Sequence, residues 1–285
     1  IILEAGYQGP ARSAAQRFDM SVIELHPAAK AGQFTLTIES TGAIEDCEPQ
    51  ADDIALILHT SGTTSRPKIV PLLQSNIAAS AQNIQKSLVL TPDDCCLNVM
   101  PLFHIHGLIA AVTASLAAGA SISCAPGFDA LKFYGWLEDV NPSWYTAVPT
   151  MHQAILARAP RNLDIIKNAR LRFLRSSSSS LPGPVMTKLA ETFGAPVVEA
   201  YGMTEAAHQM CCNPIEPGRQ KPGAVGFRYR YRAPRKMLGT TIARESPGKH
   251  LPRTYLGDLP GYCLGNNCQG FTWEPGKASL LGKVV

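Results

Sequence analysis

The sequence is poor in charged residues and has no long apolar run. Charged side chains make up 17% of its 285 residues and hydrophobic ones 45%, which excludes a disordered chain and predicts a sizeable buried core. No run of 18 apolar residues occurs, and the first residues lack the charged-then-apolar pattern of a secretory leader. We therefore expect a cytoplasmic protein without stable membrane insertion.

The eight cysteines lack the spacing of a metal site. The sequence contains no CxxC pair and no zinc-finger spacing. The neighbours Cys95 and Cys96 fall in an apolar strand, where successive side chains point to opposite faces, so the two thiols would not share a metal ion. This cysteine usage is typical of a reducing compartment and predicts thiols buried in the core.

Positive charge is concentrated in the last part of the chain. Residues 1–226 contain 16 basic and 19 acidic side chains, whereas residues 227–285 contain 10 basic and three acidic ones. A basic segment can bind nucleic acid or a membrane surface, but this one has no recognised motif and no sustained periodicity. We therefore place a boundary near Gly226 and predict no nucleic-acid partner.

Short apolar runs alternate with helix-like segments between residues 54 and 198. We predict strands at 54–58, 95–101, 120–124, 143–148, 171–175 and 196–200. Helices are predicted at about 75–88, up to 118, 129–140, after 150 and at 182–193. This alternation is typical of an α/β domain with a mainly parallel sheet flanked by helices. The loops that follow its strands, including SSSSS at 176–180, then lie where such sheets bind ligands.

The loop HTSGTTSRPK at 59–68 has the composition of a phosphate-binding site. Backbone N–H groups, small hydroxyls and a cation are what a phosphate needs, and a Ser/Thr/Gly loop that leaves a buried strand supplies all three. It is not a Walker A loop, because Arg66 and Pro67 stand where that motif has its second glycine. Composition alone leaves a solvated linker as the alternative.

Five ordered motifs resemble those of the acyl-adenylate-forming superfamily of acyl-CoA synthetases, luciferases and peptide-synthetase adenylation domains. They are TSGTTSRPK at 60–68, PLFHIHG at 101–107, RSSSSSL at 175–181, EAYGMTEA at 199–206 and KPGAVG at 221–226. The resemblance implies that residues 1–226 form part of the large N-terminal domain, an α/β fold with mainly parallel sheets flanked by helices.

Finer features are similar to the oxalate–CoA ligase branch of that superfamily. They are the Ser-Arg pair in GTTSRPK, the second histidine of FHIHG, WYTAVPTMHQAIL at 144–156 and the late histidine of EAYGMTEAAHQM. The resemblance implies an enzyme that joins a carboxylate to ATP, releases pyrophosphate and passes the acyl group to coenzyme A. Oxalate or another small dicarboxylate is the expected acid. A coumarate-type or medium-chain acid is the alternative.

The resemblance also implies roles for the nucleotide-binding residues. The β- and γ-phosphates of ATP would be held by Thr60, Ser61, Gly62, Thr63, Thr64 and Lys68. Glu205 would coordinate Mg²⁺, and Thr204 would touch the α-phosphate. Tyr201, with Gly202 beside it, would stack on adenine. Without the resemblance, Lys68 could be a surface lysine, Glu205 a helix-start carboxylate and Tyr201 a core residue.

The acid would bind near the histidines of PLFHIHG. His104 is the landmark histidine of the superfamily, whereas the role of His106 stays open because alternate residues of an extended segment point to opposite sides. The second carboxylate of oxalate needs polar partners. Ser178, Ser179 and His208 are the candidates, although His208 could also lie on a surface helix. Arg175 could pair with a carboxylate or cap the sheet edge.

The resemblance ends near Gly226. The ribose-binding TGD motif, the hinge and the small C-terminal domain with its catalytic lysine are not recognisable, and YLGD at 255–258 is only a superficial echo. We therefore expect a truncated chain whose residues 227–285 arose by a shifted reading frame or aberrant splicing. Activity would then be impaired, and a non-catalytic nucleotide-binding remnant is the alternative. An intact family member could be peroxisomal, but GKVV at 282–285 is no peroxisomal signal.

Overall fold

The computed structural model describes residues 1–29, 33–38, 48–60 and 67–228. The chain divides into two compact units, Ile1–Pro49 and Gln50–Val285. Within the described ranges, no helix is long and apolar enough to cross a membrane. Residues 229–285, including most of the predicted basic segment, lie outside the described residues.

The first unit is a small three-stranded sheet with one helix. Strand β1 pairs parallel with β2, and β2 pairs antiparallel with β3. A proline at the first helical turn starts α1, where its missing N–H is not needed. The elements are β1 (Ile2–Glu4), α1 (Pro10–Arg17), β2 (Ile23–Pro27) and β3 (Phe34–Ile38).

The second unit is built on a seven-stranded sheet with the order β12-β11-β10-β9-β8-β6-β7. Five neighbouring strands, β7, β6, β8, β9 and β10 in sheet order, are parallel. Strands β11 and β12 continue the sheet in antiparallel orientation. This confirms the predicted α/β class. The strands are β6 (Cys95–Asn98), β7 (Ser121–Cys124), β8 (Trp144–Ala147), β9 (Phe173–Ser176), β10 (Val197–Met203), β11 (His208–Cys212) and β12 (Phe227–Arg228).

Helices cover both faces of this sheet. Successive strand residues enter opposite cores: Cys96 packs on one face and Leu97 on the other, and Trp144 and Tyr145 divide in the same way. Such double burial explains why the strands are nearly continuous apolar runs. The helices are α2 (Gln74–Ser87), α3 (Ala114–Ala117), α4 (Phe133–Val140), α5 (Pro149–Leu156), α6 (Leu163–Asn168) and α7 (Gly183–Phe193).

Strands β4 (Ile54–Thr60) and β5 (Lys68–Leu73) form a separate antiparallel pair. The expectation that strand 54–58 opens a βα unit of the parallel sheet is therefore wrong, and residues 68–73 are a strand that the sequence pattern did not predict. Thr60 faces Lys68 across the pair, so the Ser/Thr/Gly loop joins the two strands of a hairpin. Helix α2 follows β5 directly and is capped at Leu73, whose N–H donates to Asn76 Oδ1.

The segment after β6 is a turn and not an extended chain. A π-helical stretch, His106–Thr113, begins there and runs into α3. Strands β7 and β8 lie on opposite sides of β6. A change of direction of this kind opens a crevice at the carboxyl ends of the strands, which is the usual ligand site of open α/β sheets.

Asp94 joins the amino ends of three parallel strands. Its carboxylate accepts hydrogen bonds from Ser143 Oγ at 2.6 Å, from Arg172 Nη2 at 2.9 Å and from the N–H of Thr91 at 2.9 Å. Burial alone would raise the pKa of Asp94, but these hydrogen bonds and the charge of Arg172 lower it overall. The ionised carboxylate therefore stabilises the folded sheet.

We expect Asp94→Ala to lower the free energy of unfolding at pH 7 by about 2–3 kcal/mol, because it removes the ion pair with Arg172 and takes the carboxylate acceptor from the buried hydroxyl of Ser143. The neighbouring Asp93 is exposed, so Asp93→Ala is the matched control and should change stability by less than about 0.5 kcal/mol. Urea denaturation of both variants measures the difference.

Wild type and Asp94→Ala also test how the stabilisation by Asp94 depends on pH. Since the pKa of Asp94 is lowered by folding, its stabilisation is complete above the unfolded value of about 3.9 and is lost as the pH falls through the folded value. The difference between wild type and Asp94→Ala should therefore narrow in acid. A constant difference down to the acid transition would contradict this assignment.

Candidate functional site

A cleft opens at the carboxyl ends of β9 and β10. It is lined by residues 178–180 of the serine loop, by residues 199–202 of β10 and by Val225. Two of the five sequence motifs thus meet in one cleft, and Val225 of KPGAVG adds a third. Ser178, Ser179, Tyr201 and Gly202 are predicted site residues that lie together here.

The serine run is an ordered βα turn. Ser176 and Ser177 are buried, and Ser177 Oγ donates to the carbonyl of Ala200 at 2.9 Å. Ser178 has a φ of 71°, a left-handed conformation that is uncommon for a residue with a side chain. The prediction that the serine run forms a loop after a strand is confirmed for residues 177–180, and the turn presents Ser178 and Ser179 to the cleft.

His106 is fully buried and bonded on both ring nitrogens. Nε2 lies 2.6 Å from Thr146 Oγ1, at the end of β8, and Nδ1 lies 3.0 Å from Ser178 Oγ. His104 is half-buried, and its Nδ1 accepts the N–H of His106 at 3.1 Å. The two histidines therefore belong to one turn, and the expectation that they point apart along an extended segment is wrong. Ser178 links His106 to the cleft.

His208 lies on strand β11 and is 2% exposed, so the alternative of a surface helix is excluded. Its ring centroid lies 5.4 Å from that of His106. Ala207 and His208 both have positive φ, 51° and 93°, and strained backbone of this kind is retained mainly where function requires it. His208 Nδ1 has no hydrogen-bond partner among the described residues.

Arg175 lies in the interior of the sheet, on β9 between β8 and β10, and is fully buried. It does not cap a sheet edge. Its Nη2 donates to Gln209 Oε1 at 3.0 Å, and Gln209 Nε2 donates to Ser87 Oγ of α2 at 2.8 Å. Nothing in the sequence pattern pointed to Gln209 or to Thr146, because both matter only through neighbours on other strands.

Burial sets the charge states of this cluster. Desolvation, followed by the charge of Arg175, lowers the pKa of His106 and of His208 well below the usual value, so both imidazoles are neutral at pH 7. Burial lowers the pKa of Arg175 to about 10, which leaves it charged. Burial also raises the pKa of Glu199, whose Oε1 accepts the N–H of Leu181 at 2.9 Å.

Strand β5, which begins at Lys68, packs against the turn Thr204–Ala206 that carries Glu205. Helix α2 is held to the same turn by a hydrogen bond of 2.5 Å from Ser80 Oγ to the carbonyl of Ala207. Strand β5, which follows the predicted phosphate loop, therefore lies beside the YGMTE motif. Ser61, Gly62, Thr63 and Thr64 lie outside the described residues.

Glu205 is the carboxylate that the turn Thr204–Ala206 offers to a magnesium ion. No group of three His, Cys, Asp or Glu side chains that could hold a metal occurs in the described part of the chain. Mg²⁺ is commonly bound by one or two carboxylates together with substrate phosphates and water. Glu205 therefore fits a magnesium ion whose other ligands come from a triphosphate and from water. It does not fit a metal site built from protein side chains alone.

Gly202 is required by the close approach of two strands. A Cβ at this position would lie 1.7 Å from the carbonyl oxygen of His208, at the irregular step in the pairing of β10 with β11. This requirement holds whether or not a nucleotide binds. Glu199, three residues earlier on β10, also lines the cleft and was not among the predicted site residues.

The family of AMP-binding enzymes matches residues 10–237. An oxalate–CoA ligase of Arabidopsis thaliana is 44% identical over 224 residues, which cover 76% of this chain and 43% of the relative. An oxalate–CoA ligase of Saccharomyces cerevisiae is 45% identical over 177 residues, 62% of this chain and 32% of the relative. The chain thus spans less than half the length of either.

Solved structures agree with this match. The crystal structure of ATP-bound MatB from Rhodopseudomonas palustris aligns with a TM-score of 0.63 and 28% identity, and the alignment covers 80% of this chain and 44% of that one.

We expect Gly202→Ala to abolish the cooperative unfolding transition or to lower its midpoint strongly, because the new methyl group meets backbone that cannot move aside. Gly135 is a helical glycine with open space around its Cβ position, so Gly135→Ala should be neutral or stabilising by up to about 1 kcal/mol. Thermal unfolding followed by circular dichroism compares the two. Equal stability of both variants would contradict the described strand approach.

Proposed function

The chain belongs to the family of AMP-binding enzymes, and on this premise we propose that it forms the nucleotide- and acid-binding part of an ATP-dependent acid–CoA ligase. In the first step a carboxylate oxygen attacks the α-phosphorus of ATP and pyrophosphate leaves. In the second step the thiol of coenzyme A attacks the acyl carbon and AMP leaves. The observation that carries the proposal is the meeting of the serine loop and the YGMTE strand in one cleft.

The phosphates would lie where β5 packs on the Glu205 turn. Charge crowds at the phosphorus in the first step, so donors and cations stabilise the transition state. Lys68 and the hydroxyl of Thr60 flank the loop that contains Ser61, Gly62, Thr63 and Thr64. Thr60 Oγ1 is buried without a hydrogen-bond partner among the described residues, which fits a donor reserved for a ligand.

Magnesium would neutralise charge on the phosphates while bound to Glu205. Thr204, next to it, would donate to the α-phosphate. Tyr201 and Gly202 line the cleft, where the tyrosine ring offers a face for adenine.

The acid would be small and doubly charged, and oxalate is our proposal. Its pocket would be formed by Ser178 and Ser179 with His106 and His208 behind them, and His104 would adjoin it. A fatty or aromatic acid needs apolar walls, whereas this end of the cleft is polar and hydrogen-bonded. Similarity to two oxalate–CoA ligases supports the choice.

The proposed compartment is the cytoplasm, with the peroxisome as the alternative.

Binding of Mg·ATP tests the phosphate site. Lys68→Ala and Glu205→Gln should each weaken binding tenfold or more, because each removes a charged contact. Lys188→Ala and Glu191→Gln, which change exposed residues of α7, are the matched controls and should leave the affinity unchanged. Calorimetric titration of the 285-residue wild type and of the four variants measures their dissociation constants for Mg·ATP. Equal affinities for all variants would refute the assignment.

Pyrophosphate release tests the reaction and the acid. We expect release with ATP and oxalate to exceed release with a medium-chain or a coumarate-type acid by tenfold or more. A preference for either of those acids would favour the corresponding rival substrate. Binding of ATP without release from any acid would favour a non-catalytic nucleotide-binding remnant.

A further inference from the structure

Arg175 is a buried cation without an anion. It has no solvent exposure, and no acidic side chain bonds to it among the residues that the structure describes. One of its donors, Nη2, bonds to Gln209, while Nε and Nη1 have no hydrogen-bond partner in the described ranges. Burying a charge in this way costs several kilocalories per mole unless a counter-charge offsets it.

The titratable groups that interact with Arg175 come from several neighbouring elements. They are His106 at the start of the π-helical stretch, His208 and Cys212 on β11, and Cys96 on β6. His152 of α5 lies behind it and its Nε2 is 3.2 Å from the carbonyl oxygen of Arg175. Burial keeps the histidines and thiols in their neutral forms. None of them supplies the missing negative charge.

The cluster is connected to the cleft by hydrogen bonds. His106 is bonded to Ser178, which lines the cleft, and the ring of His208 lies beside that of His106. His208 Nδ1 and Ser176 Oγ are buried without partners among the described residues. Through His106 and Ser178, the buried positive charge of Arg175 is therefore connected to the end of the cleft that the serine loop lines.

We propose that Arg175 is a positioning residue whose positive charge makes this cleft select acids with a second anionic group, acting through His106, His208 and Ser178. This inference rests on the proposed acid-binding function. A second carboxylate at the polar end would supply a counter-charge that no described side chain gives to Arg175, whereas a neutral group of the same size would leave the guanidinium uncompensated. The discrimination is electrostatic, because the buried guanidinium need not touch the acid.

Oxalate and oxamate provide the matched ligands. Oxamate has nearly the shape of oxalate but carries an uncharged amide in place of one carboxylate. Their dissociation constants are measured by calorimetry on the 285-residue chain in the presence of a non-hydrolysable ATP analogue. We expect wild type to prefer oxalate, and Arg175→Met to reduce the oxalate-to-oxamate affinity ratio tenfold or more without changing the affinity for the nucleotide.

Two variants separate charge from structure. Arg175→Lys keeps the positive charge, and Gln209→Leu removes the Arg175–Gln209 hydrogen bond but keeps the guanidinium. Both should retain the wild-type ratio within about threefold. A role in packing alone predicts that Gln209→Leu and Arg175→Met have similar effects, and that result would overturn the proposal.

Wild type labelled with ¹⁵N-arginine covers the case in which Arg175→Met does not fold. The guanidinium resonance of Arg175, identified by its absence from Arg175→Lys, should shift more with oxalate than with oxamate. Equal shifts, or no binding of either acid, would overturn the proposal. If the chain releases pyrophosphate but its oxalate-to-oxamate affinity ratio does not depend on Arg175, the proposed function stands and this inference alone is refuted. If the ratio depends on Arg175 but no pyrophosphate is released, acid selection by Arg175 stands and the proposed ligase reaction is refuted.

Discussion

The structure depends on a parallel sheet that is buried on both faces. Such a sheet has no solvent-facing side, so a polar side chain on it must find a partner or lie at the end of a strand. At the amino ends, Asp94 gathers donors from three neighbouring segments and is fully satisfied. At the carboxyl ends, several polar atoms have no hydrogen-bond partner within the part of the chain that the structure describes. The amino ends therefore contribute to stability, and the carboxyl ends are where we propose that ligands bind.

The unsatisfied end is costly, and the surrounding fold holds it in place. Arg175 and His208 are buried with unused donors or acceptors, and Ser178 and His208 have left-handed backbone. Helix α2 supports them from one side, because Ser87 reaches the Arg175–Gln209 pair and Ser80 holds the carbonyl of Ala207. Helix α2 thus fixes the backbone next to His208, the histidine that we propose to lie at the acid site.

Local patterns predicted much of the fold and part of the site. The strands around Cys96, Tyr145, Leu174 and Val198 were found because each is a short apolar run between turn residues. Strand β5 and strand β11 were missed, since β5 starts at the end of a polar loop and β11 carries histidine and glutamine. Their extended form depends on partners supplied by β4 and β10, and a partner strand is not visible in a local window.

The sequence by itself determined the α/β class, the family and the positions of its motifs, because these depend on short-range periodicity and on ordered residue patterns. The tertiary structure decided how the motifs combine. It placed His106 against Ser178 although 72 residues separate them, brought β5 to the Glu205 turn, and buried Arg175 among neutral groups. Spacing along the chain carries no information about such contacts, since they arise only when strands from distant segments pair and both faces of the sheet are covered.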